Sequence, residues 1–91
     1  MAKVYIKIKI MPKSPDTDLA AVEKQIKNIV DTDGSKWHIS EIKPIAFGLK
    51  AIEFIFMRDE SKGDTEPMEV EFAKIDGVES VDVVDVRRAF G

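Results

Sequence analysis

Lys3-Val4-Tyr5-Ile6-Lys7-Ile8-Lys9-Ile10-Met11 alternates without a break: Val4, Ile6, Ile8 and Ile10 share one side, and Lys3, Tyr5, Lys7 and Lys9 the other. A period of two over this length predicts a half-buried strand, with one face on a core and one face open. Pro12 ends it. Downstream, Ser14-Pro15-Asp16-Thr17-Asp18 supplies turn and helix-capping chemistry. Leu19, Val22, Ile26, Ile29 and Val30 then recur at helical spacing, and Asp33-Gly34 closes the helix. Strands are predicted near residues 36–43 and 49–58, joined by Pro44-Ile45-Ala46-Phe47-Gly48. In the second strand the aromatic set Ile52, Phe54 and Phe56 goes inward, because the alternative buries Glu53 without a partner. Asp59-Glu60-Ser61-Lys62-Gly63 reads as a polar loop. Asp64 or Thr65 caps a second helix with Pro67 in its first turn and Met68, Phe72 and Ile75 as its buried stripe. A last strand near residues 78–86 can bury Val81 and Val83. The order βαββαβ, with both helices on one sheet face, predicts an α+β ferredoxin-like sandwich with a four-stranded antiparallel sheet.

The 91 residues fit one domain spanning residues 1–91, and 14 basic against 17 acidic side chains give a net charge of −3. Mild acidity argues against duplex DNA as a partner. There is no cysteine, so disulfides and thiolate chemistry are excluded. No run is long enough for a membrane span, and the N-terminus lacks a secretory h-region, so a cytoplasmic protein is expected. The single histidine, His38, has Glu41 three residues away and hence on the opposite face of a regular strand. Neither a metal site nor a cofactor is expected. No serine sits in a nucleophile-elbow context, and no Gly-rich loop is present to cradle a nucleotide. The sequence predicts a protein that is not an enzyme and does not itself bind a nucleotide.

Three features bear on partners. The Lys3/Tyr5/Lys7/Lys9 face has the basic, aromatic character of an RNA-binding sheet but offers Tyr5 and little else for stacking. RNA binding, or binding of a small ligand, is therefore the alternative reading. Trp37 reads as the cover of a core edge before an interface anchor. Hairpin connections normally carry Asn, Asp or Gly with polar flanks, whereas Pro44–Gly48 is apolar where water is expected. The terminus Asp85-Val86-Arg87-Arg88-Ala89-Phe90-Gly91 sets two arginines and an aromatic at the free end of the last strand, a composition that can engage carboxylates or phosphates.

Pro44-Ile45-Ala46-Phe47-Gly48-Leu49-Lys50 and Asp85-Val86-Arg87-Arg88, with the opening Val4…Met11-Pro12-x-Ser14-Pro15 and the Asp18-Leu19 helix start, resemble the archaeal elongation factor 1-beta family along nearly the whole chain. The family is similar to the C-terminal domain of the eukaryotic exchange factor, whose Pro-Ile-Gly-Phe-Gly segment corresponds to Pro44–Gly48. The resemblance implies a ferredoxin-like fold and a task in translation: promoting GDP release and GTP loading on the GTPase elongation factor 1-alpha. It implies that Phe47, with Ile45, Gly48 and Lys50, grips the GTPase. It also implies that the tail carrying Arg87, Arg88, Phe90 and Gly91 perturbs the GTPase's metal and switch region. In the eukaryotic relatives a lysine near the C-terminus reaches toward the magnesium site. Gly91 stands there in this chain, which leaves Arg87 or Arg88 as its substitute.

Overall fold

Ile6, Ile8 and Ile10 are each buried to 2% exposure or less in the computed structural model, which describes residues 2–89. Their strand, β1 (Lys3–Pro12), lies inside the sheet. The other elements are α1 (Leu19–Asp33), β2 (Lys36–Pro44), β3 (Lys50–Asp59), α2 (Glu66–Ala73) and β4 (Val78–Ala89). The four strands form one antiparallel sheet in the order β2-β3-β1-β4, with the helices covering one face. This is the α+β ferredoxin-like sandwich expected from the sequence.

The local signals act as their chemistry requires. The Asp18 carboxylate accepts the Ala21 N–H at 3.2 Å and caps α1, while Gly34 turns left-handed at φ 82° to end it. Val22, Ile26 and Val30 are buried beneath it, and Leu19 and Ile29 pack at the margin. Thr65 precedes α2, Met68 and Phe72 face inward, and Ile75 is buried just beyond the helix. Phe54 meets Phe72 edge-on at 5.3 Å, and Trp37 stacks on Phe54 at 5.3 Å. Each such aromatic contributes about 1.5–3 kcal/mol of burial. Trp37 is thus the cover of a core edge.

Arg58, only 5% exposed, ties three segments together. Its guanidinium donates to Asp33 at 3.0 Å and to the carbonyls of Gly63 at 2.7 Å and Asp64 at 3.0 Å. Burial raises the Asp33 carboxyl, but hydrogen bonds from Arg58 and Ser35 and the charges of Arg58 and Lys62 outweigh it. The net effect holds Asp33 below the usual carboxylate range.

The structure departs from the sequence reading in four places. β4 continues to Ala89 rather than ending near Val86, so Arg87 and Arg88 are strand residues paired with Tyr5 and Val4 and not a free end. Val81 packs against the core, but Val83 remains 37% exposed. The cause is length: the eight residues of α2 span about 12 Å and cannot roof a twelve-residue edge strand of about 40 Å. The polar loop contains a 3₁₀ turn, Glu60–Lys62, capped by Asp59. Finally, a register shift between Trp37 and Ile39 puts His38 on the open face, 5.4 Å from the Tyr5 ring and on the same side as Glu41.

Candidate functional site

The hairpin joining β2 to β3 closes through two backbone bonds. Leu49 N–H donates to Ala46 C=O, and Ile45 N–H donates to Leu49 C=O, both at 2.9 Å. Between them Phe47 (φ 54°) and Gly48 (φ 77°) are both left-handed. Two successive positive φ values make the mirror-type turn whose twist suits a hairpin and which favours Asn-Gly. Glycine takes this conformation freely, whereas a bulky residue is strained in it. Phe47 is nonetheless there, and it is 96% exposed. Ile45 beside it is 40% exposed. The turn closes the hairpin, but it does so with a residue type unfavourable there, whose aromatic ring stays in water and packs on no part of the fold.

The tip is supported from below. Gly48 faces Pro15, and a shallow concavity of about 350 Å³ separates the β1–α1 loop from Lys50. That loop is fastened in turn: Lys13 N–H donates to Gly77 C=O at 2.9 Å, and Thr17 packs against Gly77. The structure thus groups Ile45, Phe47, Gly48 and Lys50 at one end of the sheet, facing the β1–α1 loop.

Arg87 and Arg88 lie at the other end. Arg87 pairs across to Tyr5, which pairs to Met57, seven residues along β3 from Lys50. At strand rise that is roughly 23 Å before the tip begins. The two arginines also point to opposite faces, as neighbours in a strand must. Arg87 Nε donates to Asp85 at 2.7 Å on the open face. Arg88 turns to the helical side, where Nη2 donates to both oxygens of Glu60, at 2.6 and 2.8 Å. Phe90 and Gly91 lie outside the described residues.

The open face between the two ends is a surface of paired charge with an aromatic patch. Glu53 sits between Lys7 at 3.2 Å and Lys43 at 3.3 Å. Desolvation raises its carboxyl, and the two lysines more than offset this, leaving it lowered. Toward Arg87 the face becomes apolar: Tyr5, His38 and Ile55 line a depression of about 370 Å³ with Lys7, Asp85 and Arg87 at its rim. Sequence reasoning missed this cluster. Tyr5 was visible on that face, but His38 joins it only through the bulge, which alternation cannot reveal. Among the described residues no group of three or more acidic or histidine side chains could hold a metal. No helix among them is long and apolar enough to cross a membrane.

A family model described as the EF-1 guanine nucleotide exchange domain matches residues 5–89. Elongation factor 1-beta of Methanosarcina barkeri is 47% identical over 89 residues, covering 97% of this chain and 99% of that protein. Elongation factor 1-beta of Methanocella arvoryzae is 47% identical over 90 residues, covering 99% and 100%. The chain belongs to the elongation factor 1-beta family. Its membership carries a role in guanine nucleotide exchange during translation elongation. Among solved structures, the ACT domain of a Chlorobium tepidum GTP pyrophosphokinase superposes with a TM-score of 0.62 over 90% of this chain and 99% of that one. At 13% identity that likeness shows the fold alone.

Proposed function

We propose that this domain promotes release of GDP from the translational GTPase elongation factor 1-alpha, so that GTP can load. It does so without bond chemistry and without holding the nucleotide itself. The single observation that carries the reading is Phe47, strained at φ 54° and 96% exposed at the tip of the β2–β3 hairpin. Strain of this kind persists where function needs it, and an exposed aromatic at a hairpin tip suits an interface anchor. Ile45, Gly48 and Lys50 extend the contact. Arg87 and Arg88, with the residues that follow them, form the second contact, toward the metal and switch region.

GDP on such a GTPase is held by the GTPase's own phosphate-binding loop and Mg²⁺, which neutralise phosphate charge. A partner that binds the loosened state better than the GDP-bound state shifts the equilibrium between them. Each 1.4 kcal/mol or so removed from the release barrier speeds release about tenfold. The excess of GTP over GDP supplies direction.

Stopped-flow release of fluorescent GDP from the GTPase tests this. Phe47→Ala and a chain ending after Val86 are each expected to lose acceleration. Full acceleration by both variants would remove both assignments.

A further inference from the structure

Ile39, Ile42 and Ile45, each 40–50% exposed, lie along the outermost strand β2 and the start of its hairpin. A single half-covered isoleucine is ordinary on a surface. Several along one outermost strand are a liability, because such a strand also offers unpaired backbone groups. We infer that this edge is a self-pairing surface: two copies of the chain join their β2 strands antiparallel about a two-fold axis at Ile42, making one continuous sheet. The pairing does not depend on the exchange reading.

Backbone direction selects the residues that can pair. Ile45 N–H points inward, to Leu49 C=O, and the direction of the ladder groups alternates along a strand. Lys43, Glu41 and Ile39 therefore bond to β3, and Ser40, Ile42 and Pro44 direct their backbone groups outward. The register against β3 is regular from Ile39 to Pro44. The other outermost strand, β4, shifts register against β1 beside Lys7/Ile8 and again beside Met11/Pro12, and such irregularities turn an edge away from pairing. In the β2 pair each Ile42 N–H donates to the other copy's Ile42 carbonyl, and each Ser40 N–H to the other copy's Pro44 carbonyl. Pro44 has no N–H and ends the ladder.

Side chains select a second copy as the occupant and fix its register. A two-fold axis normal to the sheet must match side chains of the same face, so it sits at a residue that meets its own copy. Centred on Ile42, the pairing sets Ile42 against Ile42 on the helical side. On the open side it sets each Glu41 against the other copy's Lys43, and each Ile39 comes opposite the other copy's Ile45. A centre at Glu41 would put two carboxylates face to face, and a centre at Lys43 two ammonium groups. A centre at Ser40 would run the ladder into the register shift between Trp37 and Ile39. Lys43 is free to turn outward: it lies 3.7 Å from Glu41 and 3.3 Å from Glu53, and Glu53 keeps Lys7 at 3.2 Å. So short a ladder belongs to the weak class of interface, with half-association expected at roughly 0.1–1 mM chain.

Sedimentation equilibrium of the full chain, from about 10 µM to about 2 mM at physiological salt, brackets that range. The mass is expected to rise from one chain toward two and to stop there, as a closed two-fold contact must. Ile42→Lys, Glu41→Lys and Lys43→Glu are each expected to weaken association at least tenfold. Mixing the Glu41→Lys and Lys43→Glu chains is expected to restore it, because each copy then meets opposite charge on the other. That rescue also shows both variants to be folded. Amide spectra of the same wild-type samples are expected to shift with concentration at Ser40 and Ile42, while Val83 and Val86 on β4 stay unmoved.

A mass of one chain at every concentration overturns the pairing. Growth beyond two chains overturns it as well, since that means one edge joining a different edge and leaving an open end. Concentration-dependent shifts at Val83 and Val86 in place of Ser40 and Ile42 move the contact to β4 and refute the register. Association that survives Ile42→Lys, or that the mixed charge variants do not regain, does the same. Shifts at Ser40 and Ile42 that appear only when nucleotide-free GTPase is added assign the edge to the GTPase and not to a second copy.

Discussion

Replacing Phe47 with asparagine is expected to make the protein more stable and less active. The ring contributes almost nothing to the fold, because it is 96% exposed, and its backbone sits at φ 54° ahead of Gly48 at φ 77°. A bulky residue held there costs about 1–3 kcal/mol. Asn-Gly is the pair that this turn favours, since a short polar side chain tolerates the left-handed region. Recovering about 1 kcal/mol raises the melting temperature by roughly 4–8 °C in a domain of this size. The functional cost runs the other way. Almost the whole ring is available for burial by a partner, worth about 1.5–3 kcal/mol. At 1.4 kcal/mol per decade, losing it slows nucleotide release at limiting exchange factor roughly ten- to hundredfold. Calorimetry and a GDP-release assay on the same preparation read both quantities. A lower melting temperature would mean that Phe47 packs on its own chain. A higher one with unimpaired exchange would mean that the strain serves something other than this contact.

Three further outcomes are expected. Arg58→Met takes from Asp33 its charged partner, leaving the Ser35 hydroxyl, and strands the Gly63 and Asp64 carbonyls, so urea unfolding should show a loss of about 3 kcal/mol. Asp33 and Glu53 are both held below their ordinary values of 3.8 and 4.5. Their stabilisation is therefore complete above those unfolded values and drains away as pH falls through the lower native ones. Unfolding midpoints measured from pH 6 to pH 2 should fall, and Asp33→Asn should flatten part of that slope. Gly77→Ala combines φ 91° with a new methyl 2.8 Å from Thr17 Cγ2, so thermal unfolding should show a loss of about 1–3 kcal/mol.

The fold was legible because its decisive residues obey short-range rules. The Val4–Ile10 alternation, the Asp18 cap, the Gly34 stop and the Phe54/Phe56 face each speak for one element, and together they leave a single economical packing. The Phe47 tip was legible too, as an apolar turn where polar residues belong. Its strained backbone was not, since nothing local distinguishes a Phe-Gly turn at positive φ from one folded onto the sheet. Pairing across strands decided the rest. The reach of β4 to Ala89 depends on the length of β1 beside it, and the opposite facing of Arg87 and Arg88 follows from that extension. His38 reached the open face through a bulge, and Arg58 became a junction because three remote segments converge on it. Periodicity carries none of these.

The most direct measurement is the dwell time of fluorescent GDP on elongation factor 1-alpha with saturating wild-type protein and excess GTP. The expected result is a dwell time shortened by at least tenfold, rising toward its unassisted value when Phe47 is replaced. A dwell time unchanged by the wild-type chain would contradict the account at its root.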